Sequence, residues 1–241
     1  MYNLLISLLF GAAVAIPVDV FTPLAPWIPP LIGMGVFAVL YLLLTRRVMK
    51  KVGQLAETAQ RDLQGGRPEK AIKTLESGLK YGSWQFYVKP QLNAQIGTVY
   101  YLKRDFAKAF EYLQKAFVRH WVAMGMLAIC YMKRNKVDKM TLTFEKAVSA
   151  SRKEVFLWNL YAYCLDHVGQ TSKAKDILRK GLKKAGNDER LQDSLDALEE
   201  GKKMKMTAYG DLWYQFHLEK PGTLIKQQTK MAQGRRKIVR R

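Results

Sequence analysis

Lysine and arginine are missing from the first 45 residues, which hold a single acid, Asp19. All 40 basic residues of the 241-residue chain follow Thr45, and the net charge is +20. The split marks two segments built for different surroundings. The basic part suits an anionic surface: nucleic acid, anionic lipid or an acidic protein. Cysteine is also scarce. Cys130 and Cys164 stand 34 positions apart with no CxxC or Cys/His cluster, which removes zinc-site and thioredoxin-type readings. Each reads as a small apolar core residue. Three histidines are present, His120, His167 and His217, none beside a second ligand at metal spacing. GxGxxG, P-loop, GxSxG and HExxH patterns are absent. Nothing in the sequence asks for a catalyst or a cofactor, so none is expected.

What is present begins with two apolar runs. Leu4 to Ile16 leads into Pro17-Val18-Asp19-Val20-Phe21, and Trp27 to Thr45 follows a Pro-rich turn. A helix needs about 20 apolar residues to cross a bilayer core. The second run meets that length; the first meets it only if it continues through Phe21. The first run lacks the basic residues that open a signal peptide, so it reads as an uncleaved arm of a hairpin, although Ala12, Ala13 and Ala15 are compatible with cleavage. The second run ends in Arg46-Arg47-Val48-Met49-Lys50-Lys51. Basic residues flanking a span stay on the cytoplasmic side, so residues 47–241 are expected there.

An internal period follows. The aligned small positions Ala71, Ala109, Met140 and Ala174 are spaced by 38, 31 and 34 residues, each followed at four and seven positions by further apolar or small residues. Thirteen positions upstream of the last three lie Ile96-Gly97-x-x-Tyr100, Leu127-Ala128-x-x-Tyr131 and Tyr161-Ala162-x-x-Leu165. The first repeat is degenerate, with Thr58 and Asp62 where Leu and Tyr are usual, and Tyr81–Lys89 adds about four residues to one loop. From Gly53 to Lys184 the pattern resembles the tetratricopeptide repeat. That resemblance implies an all-α solenoid of helical hairpins, with three to four repeats. A helix after Asn187, carrying Leu191, Leu195 and Leu198 on one side and acids on the other, reads as the terminal cap a solenoid needs. The expected organisation is a transmembrane hairpin at 1–46, the repeats and cap at 47–201, and a basic helix and tail at 202–241.

The family's register implies a partner-binding groove lined by the first helix of each pair. Its residues are Gln91, Ala94, Thr98 and Tyr101; Val122, Gly125, Ile129 and Met132; and Phe156, Asn159, Tyr163 and Asp166. The mixed lining resembles one that holds a peptide or helix. Ala94 and Thr98 stand where the family's carboxylate clamp has Lys and Asn, so that mode is not expected. Beyond the cap, Tyr209, Trp213 and Phe216 fall at helical spacing, as if to dock on the last repeat. Candidate contacts to an anionic surface are Arg46, Arg47, Lys50 and Lys51, with Arg235, Arg236, Lys237, Arg240 and Arg241 in the tail; anionic lipid is the nearest such surface. The leading expectation is a scaffold or adaptor on the cytoplasmic face of a membrane, in a layout resembling bacterial inner-membrane repeat proteins of the HemY type. A membrane-tethered nucleic-acid binder using the tail, and a subunit of a larger membrane machine, are the alternatives.

Overall fold

The computed structural model describes residues 1–23 and 25–219. Eleven α-helices follow one another there: α1 (Tyr2–Phe21), α2 (Ile28–Gln64), α3 (Pro68–Gly78), α4 (Val88–Leu102), α5 (Phe106–Leu113), α6 (Trp121–Lys133), α7 (Val137–Ala150), α8 (Val155–His167), α9 (Thr171–Ala185), α10 (Glu189–Glu199) and α11 (Asp211–Tyr214). Short 3-10 turns cover Leu79–Ser83 and Met206–Tyr209. The described residues contain no strand. The all-α class expected from the sequence is the one found.

The repeat is written most plainly in its turns. Gly66, Arg104, Asn135 and Gly169 all have left-handed backbone, with φ of 71°, 65°, 55° and 81°. Each lies five residues before Ala71, Ala109, Met140 or Ala174. Each is followed by an N–H that reaches back to the preceding helix: Arg67 to the Asp62 carbonyl, Asp105 to Tyr100, Lys136 to Tyr131 and Gln170 to Leu165, at 2.8–3.0 Å. This closing bond satisfies carbonyls that a helix end otherwise leaves orphaned. The degenerate first repeat turns in the same way as the others. Pro68 opens α3, where its missing N–H is no loss. Asp105 and Asp188 cap α5 and α10 by accepting the Lys108 and Arg190 N–H groups.

The chain divides into two compact units, Met1–Ala123 and the residues from Met124 onward. In the first, α1 and α2 form an antiparallel hairpin. Helix α1 does continue through Phe21, past Pro17. Its contact face is a stripe of small and polar residues, with Asn3, Ser7 and Gly11 buried. A Cβ on Gly11 would lie 2.8 Å from the Gly33 carbonyl oxygen, and one on Gly33 would lie 2.7 Å from the Ala15 Cβ. The large side chains point the other way: Leu5, Leu9, Phe10, Ile16, Val39, Leu42 and Leu43 are all exposed.

Helix α2 runs through residue 46 without a break. Its second half supplies Val48, Val52 and Ala59 to a core with Ala71, Ile72, Leu75, Val88, Leu92, Ile96 and Val99. The first helix of repeat one is thus the continuation of the apolar arm. Asp62 is enclosed and paired with Arg67 at 3.1 Å and Lys70 at 3.5 Å. Gly97 lets α4 meet α5, since a Cβ there would lie 2.8 Å from Leu113. Between repeats, the Tyr112 hydroxyl donates to Glu76 at 2.9 Å.

The second unit repeats this logic. Phe144 of α7 stacks on Tyr161 of α8 at 4.8 Å. Gly181 of α9 admits Trp158, whose Cβ would lie 3.0 Å from an added Cβ. The Trp158 indole N–H donates to the Arg152 carbonyl at 2.9 Å. Helix α10 buries Leu191, Leu195 and Leu198 and closes the stack.

Candidate partner groove and its internal occupant

Phe156, Asn159 and Tyr163 share one face of α8, being separated by three and four positions. On that face lies the chain's own segment 204–219. Tyr209 meets Phe156 edge-on at 4.8 Å, and Phe216 meets the same ring at 5.3 Å. Trp213 meets Tyr163 edge-on at 4.8 Å. Each such aromatic pair contributes about 0.5–1.5 kcal/mol beyond the area it buries. Gly125 of α6 makes room for the last anchor: a Cβ there would lie 3.1 Å from the Phe216 ring and 3.0 Å from Leu160. Trp213 and Phe216 are enclosed, as are Met204 and Met206.

Polar bonds set the register of the segment. The Asn159 side-chain amide donates to the Tyr209 hydroxyl and also reaches the Arg190 carbonyl at 3.4 Å. The Arg190 guanidinium sits 5.3 Å from the Tyr209 ring centre. The Trp213 indole N–H donates to Glu219 at 2.8 Å. Burial pushes the Tyr209 hydroxyl up to about 12, with the Asn159 bond opposing that rise. Burial also raises Tyr163. Both phenols stay neutral through the physiological range.

The segment departs from the expected helix. Gly210, with φ of 56°, divides it into the turn Met206–Tyr209 and the four-residue α11. Its aromatics lie on the last repeat, against α8 residues the sequence assigned to the groove, and Phe216 also reaches Gly125 of α6. Spacing alone fixed which residues were anchors. The break at Gly210 lets the segment turn along the face.

The other sequence-assigned groove residues divide into three kinds. Ala94, Tyr101 and Ile129 have no accessible surface, and Met132 retains 7%. The first three therefore present nothing to a partner. Gln91, Thr98, Val122 and Asp166 are half-buried, and the Thr98 hydroxyl is spent on the Ala94 carbonyl at 2.8 Å. Phe156 and Asn159 are covered with the segment in place, and Tyr163 is half-buried. Arg46, Arg47, Lys50 and Lys51 are exposed on α2. Arg235, Arg236, Lys237, Arg240 and Arg241 lie outside the described residues. Among the described residues, no group of three His, Cys, Asp or Glu side chains is placed to hold a metal ion.

Sequence reasoning missed a second polar cluster, in the first unit. Gln85, in the enlarged loop, accepts from the Asn3 amide and the Thr45 hydroxyl, each at 3.2 Å. Its own amide donates to the Tyr41 hydroxyl at 3.1 Å. The only signal for it in the sequence is the extra length of the loop.

No protein-family model matches the chain, and no curated protein matches it. Solved structures of MamA are similar in part. A chain described as "MamA RS-1 ArsTM double mutant" aligns with a TM-score of 0.48 and 16% identity, over 69% of this chain and 94% of that one. Two further MamA crystal structures give 0.45 at 14% and 16% identity, over 74% and 68% of this chain and 91% and 95% of theirs. By its own turns and packing, the chain folds as helical hairpins of the tetratricopeptide type.

Proposed function

We propose that this protein is a membrane-anchored, non-catalytic scaffold that holds a partner's segment on the α8 face. The observation that carries the proposal is the occupant of that face. Residues 204–219 support this reading, being an irregular segment with aromatic anchors and one hydrogen bond to Asn159 that lies on the face. A partner of the same chemistry displaces that segment or extends from it.

The apolar hairpin is the anchor in this reading. Its outward surface is hydrocarbon and its helix contact is made of small residues, the pattern that packs helices in lipid. A soluble core helix has the opposite arrangement. Both helices have the length and hydropathy of a span. The exposed Arg46, Arg47, Lys50 and Lys51 after the second arm support an orientation with the repeats on the cytoplasmic side, as in a bacterial inner membrane.

The test is a pull-down of the full-length protein in mild detergent, with mass spectrometry. A specific protein should be recovered with the wild type, recovered more with Trp213→Ala/Phe216→Ala, and lost with Tyr163→Arg. Recovery of nucleic acid alone, abolished by raising salt, would overturn the scaffold reading in favour of the basic tail.

A further inference from the structure

We propose that the enlarged loop between α3 and α4 is a lipid-seated foot: Trp84, Phe86 and Tyr87 rest in the headgroup region of the anionic leaflet in which the hairpin ends. The proposal rests on the reading of α1 and α2 as a membrane hairpin.

The loop's height is fixed by its bonds. Gln85 is tied to Tyr41 and Thr45 on α2 and to Asn3 on α1. The Trp84 carbonyl accepts the Asn3 backbone N–H at 3.3 Å, and the Trp84 ring meets Tyr2 edge-on at 5.4 Å. Thr45 is the last residue of the apolar run, and Arg46 is the first charge after it. From Ile28 to Thr45 an α-helix rises about 26 Å, close to a bilayer's hydrocarbon thickness. Whatever depth Thr45 takes, the loop takes too. That depth is the boundary between acyl chains and headgroups, where Trp and Tyr concentrate because their rings are apolar and their N–H and O–H groups seek water.

The loop presents what such a boundary needs. Trp84 is 39% exposed, Phe86 41% and Tyr87 61%, and Tyr2 beside them 51%. Tyr87 is held in left-handed backbone, φ 67°, between buried Val88 and the bond from Gln91 N–H to its carbonyl. A tyrosine adopts that conformation rarely. Here it ends the loop and starts α4 while leaving the ring outward. Exposed cations flank the loop at both anchor points. Lys51 and Lys80 approach the Tyr81 ring within the loop at 6.0 and 5.4 Å, Lys89 is exposed two residues after Tyr87, and Arg46, Arg47 and Lys50 are exposed on α2 just beyond Thr45, to which Gln85 is bonded. Aromatic rings bordered by lysine and arginine match an anionic leaflet in both apolar and charge character. The connection between α3 and α4 spans residues 79–87, against 151–154 between α7 and α8, and the longer stretch carries Gln85, which bonds the hairpin.

The test uses the full chain with single cysteines carrying an environment-sensitive fluorophore. Cys130 and Cys164 are buried, so an introduced exposed cysteine is labelled selectively. The protein is reconstituted into vesicles of phosphatidylcholine with a minor share of phosphatidylglycerol, bearing a nitroxide quencher either at the headgroup or deep in the acyl chain. Three sites are compared: Phe86→Cys, Val39→Cys in the middle of the apolar run, and Gln60→Cys, about 22 Å beyond Thr45 along α2. The expected result is that deep nitroxide quenches Val39→Cys, headgroup nitroxide quenches Phe86→Cys several-fold more than deep nitroxide does, and neither quenches Gln60→Cys. If Val39→Cys is quenched and Phe86→Cys behaves like Gln60→Cys, the foot is overturned and the hairpin stands. If Val39→Cys is not quenched by deep nitroxide, the membrane hairpin fails and the foot with it. Lys89→Cys, at the start of α4, gives the same reading should Phe86→Cys disturb the loop.

Discussion

The Asn159 side-chain amide donates to the Tyr209 hydroxyl across 50 residues of sequence, tying the C-terminal segment to the middle of α8. Asn159 has no accessible surface. Asn159→Ala should therefore remove that bond and leave the Tyr209 hydroxyl short of a buried partner. Such a loss costs about 1–3 kcal/mol. Tyr209→Phe leaves the buried Asn159 amide with only the Arg190 carbonyl at 3.4 Å, whereas Asn159→Ala/Tyr209→Phe removes both halves and should cost less than the two single changes together. Proteolysis after residue 201, followed by gel or mass spectrometry, should be accelerated by each single change and by less than their combined effect in the double variant. Equal rates in all three variants and the wild type would show that the bond does not hold the segment.

The hairpin rests on two glycines at one crossing. Gly11→Leu forces a side chain into a space where a Cβ alone meets the Gly33 carbonyl oxygen at 2.8 Å. Overpacking of this kind costs about 1–3 kcal/mol. Gly35 has nothing within 4 Å of a Cβ, so Gly35→Leu should be neutral. Thermal midpoints of the full chain in detergent should fall for Gly11→Leu and hold for Gly35→Leu.

Turn chemistry gives a reciprocal pair. Arg104 and Gly66 occupy the same left-handed position in adjacent repeats. The left-handed region costs an ordinary residue roughly 1–2 kcal/mol, part of which glycine returns through its freedom in the unfolded chain. Arg104→Gly should stabilise by up to about 1 kcal/mol, and Gly66→Ala should destabilise by about as much, although nothing within 4 Å blocks a Cβ there. Denaturant midpoints moving in opposite directions would bear this out.

His120 carries a pH dependence. Its Nδ1 accepts the Ala123 N–H at 3.3 Å, and burial holds its pKa below the ordinary 6.5. The folded state keeps the ring neutral, while the unfolded chain protonates it at about 6.5. The stabilisation is therefore complete above 6.5 and is lost as pH falls through the lower folded value. His120→Asn keeps an acceptor without the titration. Between neutral pH and the acid side of 6.5, the wild-type melting midpoint should fall more than that of the variant.

The two thiols should be silent. Burial pushes Cys130 up to about 11 and raises Cys164 further. A thiol-specific chromophoric reagent at pH 8 should find neither in the native protein and both in denaturant. Rapid native labelling of either would mean that its helix pair opens.

The sequence by itself determined the repeating units. Apolar residues at helical spacing set each buried stripe, and the small residues set which helices approach closely. Each turn stands five residues before the aligned position, Ala in three repeats and Met140 in the other, even in the degenerate repeat, because a helix end needs its closing bond whatever occupies the faces. The break-free run from the apolar arm into repeat one was legible for a related reason: nothing between Leu31 and Gln64 ends a helix. Tertiary structure decided the rest. Tyr209, Trp213 and Phe216 could be recognised as anchors, but their seat on Phe156, Asn159 and Tyr163 joins positions some 50 residues apart in the chain. Gln85 carries no local mark of its ties to Asn3, Tyr41 and Thr45. Local pattern fixes elements because a helix closes its bonds within four residues. Which faces meet depends on shape and on polar groups that find partners only when distant segments come together.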